Sequence, residues 1–324
     1  MLTLQDYQSI IRERLNLEAF NGTPTELYEP INYTMSLSGK RLRPSITLMA
    51  CDIFNGRVDE AVDAALGLET FHNFTLLHDD IMDEAPIRRG KPTVYKKWDS
   101  NRAILSGDTM MVLAYDFLLN SPKDLLHRLF TIFNRVGKEV CEGQQYDMNF
   151  ETKSNVSIPE YLEMIRLKTA VLIGGSMKVG AIIARASEED CQRIYEFGEN
   201  IGMAFQLQDD LLDAFGDTSI FGKSTGGDIR TNKKTYLYLK ALEVANENDK
   251  SLLSDLYQTH PEDSIPKVKE VIEIFNKYEI SKLTRDLMEK YYQKAMECLS
   301  LLNLEQEKHI VLVGLADALM KRNS

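Results

Sequence analysis

The chain spells one acidic pattern twice, Asp79-Asp80-Ile81-Met82-Asp83 and Asp209-Asp210-Leu211-Leu212-Asp213, each at the end of a long stretch of helically spaced apolar residues. Residues four apart share a helix face, so Asp79 sits beside Asp83 and Asp209 beside Asp213. Like charges there repel, and a cation relieves the repulsion. Hard carboxylate oxygens suit Mg²⁺ or Mn²⁺ rather than a thiolate-loving metal. With Asp at about one residue in sixteen, a window matches by chance about once in 4,000, so two matches point away from a merely solvated acidic face. The copies lie far apart, in different helices. If both serve one metal site, one domain must hold both.

Small and apolar residues at Ala61, Ala64, Ala65, Leu68, Phe71 and Leu76 recur at three- and four-residue steps, which predicts a buried helix over 59–83. Helical spacing also covers 4–20, 24–36, 43–55, 102–120, 123–150, 159–186, 188–215, 234–247 and much of 249–319. Strand alternation is nearly absent, and no Pro/Ser-rich linker divides the chain. The reading is an all-α fold, a single domain over 1–324 built as one large bundle of long core helices around a central cavity. Hydrophobic residues at 44% and charged residues at 27% give enough apolar material for a sizeable core. A net charge of −11 excludes a nucleic-acid backbone as the expected partner. Cys51, Cys141, Cys191 and Cys298 stand far apart without a C-x-x-C pair, which fits a reducing cytoplasm better than a zinc site or a disulfide framework. Asp6, Arg12 and Glu13 break the run a signal peptide needs, and the greasiest stretch, 170–184, carries Lys178 and is too short to span a bilayer.

An acidic chain that binds anions needs metal ions or clustered cations. Both acidic helix ends run into basic segments. Arg88 and Arg89 follow the first; the guanidinium fork grips phosphate through two bonds, so carboxylates, a divalent ion and arginines together describe a diphosphate clamp. Upstream, Gly39-Lys40-Arg41-Leu42-Arg43-Pro44 forms a second basic cluster, its glycine permitting close backbone approach and its proline opening the next helix. The second acidic run leads into a glycine-rich stretch, 216–234, with Lys223, Lys233 and Lys234. Its glycine spacing and Asp217 reject a P-loop; a lid bearing Lys223 fits better. Glu69-x-x-His72 has the spacing of a di-iron ligand pair, but no second copy exists. His72 lies nearly two turns before Asp79, within reach of the same cavity. Lys168, Thr169 and Gln206 are polar interruptions of long apolar patterns.

These segments, in this order, resemble the trans-isoprenyl diphosphate synthases. Glu69-x-x-His72 through Asp83 and on to Arg88-Arg89-Gly90-Lys91-Pro92-Thr93 is similar to that family's first aspartate-rich motif, and Phe205-Gln206-Leu207-Gln208-Asp209-Asp210 to its second. With the Gly39–Pro44 cluster, Lys168-Thr169, Lys223 and Lys233-Lys234-Thr235, the resemblance spans residues 24–250; Ser38 departs from it, standing where the family has a second glycine. The resemblance implies Mg²⁺-assisted loss of diphosphate from an allylic diphosphate, attack by isopentenyl diphosphate, and loss of a proton to the departing diphosphate. It further implies metal binding by Asp79, Asp83 and Asp209, with Asp80, Asp210 and Asp213 completing the two clusters. Arg88, Lys168, Lys223 and Lys233 would bind the allylic diphosphate, and Lys40, Arg43, His72 and Arg89 the isopentenyl diphosphate. Thr169 and Gln206 would steady the developing cation. Homodimers are implied as well.

Product length should be set on the helix below Asp79. Phe74 lies about 7.5 Å and Phe71 about 12 Å down an ideal helix. A helical wheel puts Phe71 and Thr75 nearer the Asp79/Asp83 stripe, whereas the family resemblance implies the Phe74 position. The pattern is that of short-chain synthases, farnesyl to geranylgeranyl, with geranylgeranyl favoured. A class I terpene cyclase would share the ionisation chemistry but has no use for Lys40, Arg43 and Arg89. A non-catalytic partner subunit would not need both acidic clusters.

Overall fold

A computed structural model describes residues 2–216, 226–261 and 263–320; Lys223, expected in the lid, lies outside the described residues. Apart from one two-stranded ribbon, the regular elements among them are helical. They gather into two compact units, Met1–Asn134 with Ser176–Ile194, and Arg135–Gly175 with Tyr195–Ser324.

The first unit opens with α1 (Leu4–Leu17), started by a capping box in which Thr3 and Asp6 satisfy each other's backbone N–H groups. Next come α2 (Thr25–Ser36), α3 (Leu42–Ile53) and α4 (Val58–Met82). After α4 the ribbon β1 (Ile87–Arg88) and β2 (Lys91–Pro92) leads through the short α5 (Val94–Lys97) to α6 (Ser100–Leu119), whose first turn is capped by Asp99 at 2.8 Å from the Arg102 N–H. Helix α4 packs mainly on α6 and α3. Ala61, Ala64 and Ala65 are fully buried, so the backbones can approach closely.

Three further helices, α7 (Leu126–Thr152), α9 (Val171–Ile183) and α10 (Glu188–Phe215), accompany the shorter α8 (Ile158–Ile165). In the second unit the core gathers Phe150, Tyr161, Leu207, Leu211, Tyr236 and Phe275. Lys234 donates to the carbonyls of Phe150 and Lys153 at 2.6 and 2.8 Å, closing the carboxyl end of α7 where a cation is favoured.

The expected helix over 159–186 is interrupted. Between α8 and α9, Arg166–Ala170 forms a π turn in which the Val171 N–H reaches back five residues to Arg166. Apolar periodicity does not register one inserted residue, so the sequence pattern reads through it. The stretch 249–319 divides into Glu247–Leu256, Ile265–Lys277, Ile280–Ser300 and Gln306–Met320. No helix among the described residues is long and apolar enough to cross a membrane.

Candidate active site

In the first unit the acidic cluster sits where α4 ends. Asp83 is the C-cap and donates its backbone N–H to the Asp79 carbonyl at 2.8 Å. Chain direction then reverses through the ribbon. Arg89 and Gly90 both have positive φ, 53° and 75°, the two-residue turn that matches strand twist. The basic segment that follows the first acidic run is therefore a tight hairpin. Asp80, 4% exposed, accepts from Arg88 Nε at 2.7 Å. Burial raises the Asp80 carboxyl above its ordinary range, with the Arg88 charge opposing.

Arg89 folds back over Gly39, where an added Cβ would stand 3.1 Å from its guanidinium carbon. It reaches Asn73 Oδ1 at 3.5 Å. Asn73 Nδ2 in turn donates to Glu69 Oε1 at 3.0 Å, and Arg41 pairs with the same oxygen at 2.5 Å. Arg41, at φ 46°, also donates to the Met35 and Leu37 carbonyls. Arg43 Nη1 lies 3.2 Å from His72 Nε2, and burial, then the Arg43 and Arg89 charges, hold the His72 imidazole well below the usual histidine range. His72 stays neutral and accepts from Arg43. Four arginines, with Lys40 next to Arg41 in the chain, thus outnumber the two buried carboxylates of this region, Glu69 and Asp80. The chemistry this suits is a multiply charged anion.

Phe71, 1% exposed, packs edge-on against Phe133 at 5.3 Å and at a tilt against Phe74 at 5.6 Å. Phe74 is only partly buried and meets the His78 ring at 4.8 Å. Thr75 donates its hydroxyl to the His72 carbonyl at 2.8 Å.

In the second unit the π turn presents Lys168 and Thr169 side by side. Lys168 Nζ pairs with Asp147 at 2.6 Å; Thr169 Oγ1 donates to Gln206 Oε1 at 2.9 Å. Asp210, 5% exposed, accepts from Gln206 and from the Tyr161 hydroxyl. Burial pushes its carboxyl up to about 8. Asp213 Oδ2 accepts the Asp228 N–H at 2.9 Å. Burial and the Asp213 charge push the Asp228 carboxyl up to about 7, against Lys233 and Lys168.

Both acidic clusters lie in the last turns of long helices, where the helix dipole already favours cations, so uncompensated carboxylates there are doubly unfavourable. The donors are all hard oxygens. Among the described residues, no three Asp, Glu, His or Cys side chains converge enough to hold an ion alone. Such donors fit Mg²⁺, which takes one or two carboxylates and fills its shell with water and substrate phosphate oxygens.

Sequence reasoning missed Tyr161, Asp147, Asp228 and Asn73, and gave no role to the Arg41–Glu69 pair. Asp228 carried the clearest signal, an acid among the glycines and lysines that follow the second cluster.

The chain matches the polyprenyl synthetase family model over residues 24–275. It is 33% identical over 320 residues to the short chain isoprenyl diphosphate synthase of Methanothermobacter thermautotrophicus, covering 98% of this chain and 97% of the relative. Identity to the geranylgeranyl diphosphate synthase of Sulfolobus acidocaldarius is 37%, with 86% of each chain covered. A crystal structure of a geranylgeranyl pyrophosphate synthase superposes with a TM-score of 0.95 at 46% identity over 100% of both chains. With its acidic helix ends and crowded cations, the chain belongs to the polyprenyl synthetase family, as a trans-isoprenyl diphosphate synthase of the short-chain kind.

Proposed function

We propose that the protein condenses isopentenyl diphosphate with allylic diphosphates, ending at geranylgeranyl diphosphate in preference to farnesyl diphosphate. The observation that carries this reading is the arginine cluster around His72 beside the first acidic helix end, with relatives named for the geranylgeranyl product in support. Polyprenyl synthetases generally depend on a divalent metal. For this chain we assign Mg²⁺, or Mn²⁺, to Asp79, Asp83 and Asp209. Asp80 and Asp213 steady the surrounding water and cations, Asp80 beside Arg88 and Asp213 on the Asp228 N–H. When bound, the metal supplies charge neutralisation for the leaving diphosphate.

The protein's own groups do the rest. Arg88, Lys168, Lys223 and Lys233 grip the allylic diphosphate; Lys40, Arg43, neutral His72 and Arg89 grip the isopentenyl diphosphate. Thr169 and Gln206 steady the carbon that gains positive charge, and packed apolar helices exclude the water that would quench it. No side chain is assigned as the base; the departing diphosphate takes the proton. Phe74 limits the growing chain.

We assign residues 1–324 to one functional domain, as the resemblance implies. A homodimer is supported by the exposed apolar face of α6, where Leu105, Val112 and Leu119 recur at heptad spacing beside Ile104. Free cysteines support a reducing cytoplasm. The test is an Mg²⁺-dependent assay with isopentenyl diphosphate and each allylic starter, with product length read by chromatography. A C20 product is expected. A cyclised hydrocarbon from farnesyl diphosphate alone, or no turnover with any starter, would sink the reading.

A further inference from the structure

The Asp210 carboxyl group is engaged on both sides. The Tyr161 hydroxyl meets Oδ2, and Gln206 Nε2 donates to Oδ1 at 3.0 Å. Gln206 Oε1 then accepts from Thr169 Oγ1 at 2.9 Å, so four side chains form one chain of hydrogen bonds. Its polarity follows from the donor inventory. The NH₂ end of the Gln206 amide donates to Oδ1, so the amide oxygen faces Thr169. Thr169 has one proton and spends it on Gln206. What its hydroxyl keeps for a ligand is lone pairs. A threonine in an ordinary helix tends to bond the carbonyl three or four residues back. Thr169 lies in the π turn Arg166–Ala170 and bonds Gln206 instead.

We propose that Tyr161 is a positioning residue which, through Asp210 and Gln206, fixes the hydrogen-bond polarity of Thr169 towards the reacting carbon, and that Asp210 serves this chain rather than holding metal. The inference rests on the assignment of Thr169 and Gln206 to the developing positive charge.

The experiment compares wild type, Tyr161→Phe, Thr169→Val and the double variant by single-turnover rate, KM for each diphosphate and half-saturating Mg²⁺. Tyr161→Phe is expected to lower the rate about tenfold, the weight of one hydrogen bond in a buried network. Both KM values and the Mg²⁺ requirement should stay within about twofold. In the Thr169→Val background the added loss should be under about twofold, because the two residues act through one path. Equal losses in both backgrounds would overturn the proposal. So would a raised Mg²⁺ requirement in Tyr161→Phe, which would make Asp210 a metal holder. A Thr169→Val rate equal to wild type would instead defeat the assignment of Thr169, and the inference with it. If Tyr161→Phe fails to fold by melting, Asp210→Asn replaces it, with a lowered rate at unchanged Mg²⁺ requirement expected and a changed requirement overturning the proposal.

Discussion

Arg88 grips Asp80 side-on: Nε and Nη2 of the guanidinium each lie 2.7 Å from the same carboxylate oxygen, Oδ1. This pair ties the hairpin to the last turn of α4. It also leaves the remaining guanidinium protons for a ligand. A lysine keeps the charge but loses the fork. Arg88→Lys should therefore raise KM for the allylic diphosphate about tenfold while changing KM for isopentenyl diphosphate little, as read by steady-state kinetics with each substrate varied in turn. An equal rise in both would contradict the assignment.

Arg41 and Glu69 are 6% and 2% exposed at their side chains, and their ion pair closes the base of the cation cluster. Removing one partner leaves a buried charge without its mate. Glu69→Ala should cost about 3–5 kcal/mol of stability in urea unfolding. Replacing both by apolar side chains of similar volume should cost clearly less. A Glu69→Ala variant of wild-type stability would show that the pair is dispensable to the fold.

Much of this was legible in the sequence, for identifiable reasons. Helix spacing reports burial of one face, and it found α4 and α10 together with their acidic ends. It could not find the π turn at Arg166–Ala170, because one extra residue shifts the register without changing which residues are apolar. Nor does spacing reveal the Arg89-Gly90 turn, since its strands are two residues each, too short to alternate. Arg88 and Arg89 were recognisable as phosphate-binding groups by type. Their internal partners Asp80 and Asn73 were not, because hydrogen-bond pairing depends on the fold that the hairpin creates. Tyr161 was hidden for a similar reason: on an apolar helix a tyrosine looks like core, and only its contact with Asp210 distinguishes it.

His72 gives the stability a pH dependence of known sign. Its imidazole is held well below the usual histidine range by burial and then by Arg43 and Arg89, so the native state keeps it neutral. The unfolded chain protonates it near the ordinary value of about 6.5. Below that pH the unfolded state binds a proton that the native state refuses. Stability from this group is thus intact above pH 6.5 and falls as the pH drops, by at most about 1.4 kcal/mol per unit. His72→Asn should flatten unfolding free energy between about pH 5 and 6.5 relative to wild type, measured by urea titrations at each pH. Parallel curves would mean that His72 is protonated in the native state.

Phe71 and Phe74 separate into two roles. Phe71 is enclosed by Phe133 and Phe74, so Phe71→Ala should behave as a core truncation, losing about 3–5 kcal/mol. Phe74 is only partly buried, one turn before His78 on α4, and its ring stands edge-on to that imidazole. Truncating it opens space without emptying the packed core, so the stability loss should be smaller. The floor that stops the growing chain is then gone, and Phe74→Ala should release products longer than wild type at a similar rate of isopentenyl diphosphate incorporation. Chromatography of dephosphorylated products against chain-length standards reads this directly. Unchanged length in Phe74→Ala, with a longer product from Phe71→Ala, would transfer the length-setting role to Phe71.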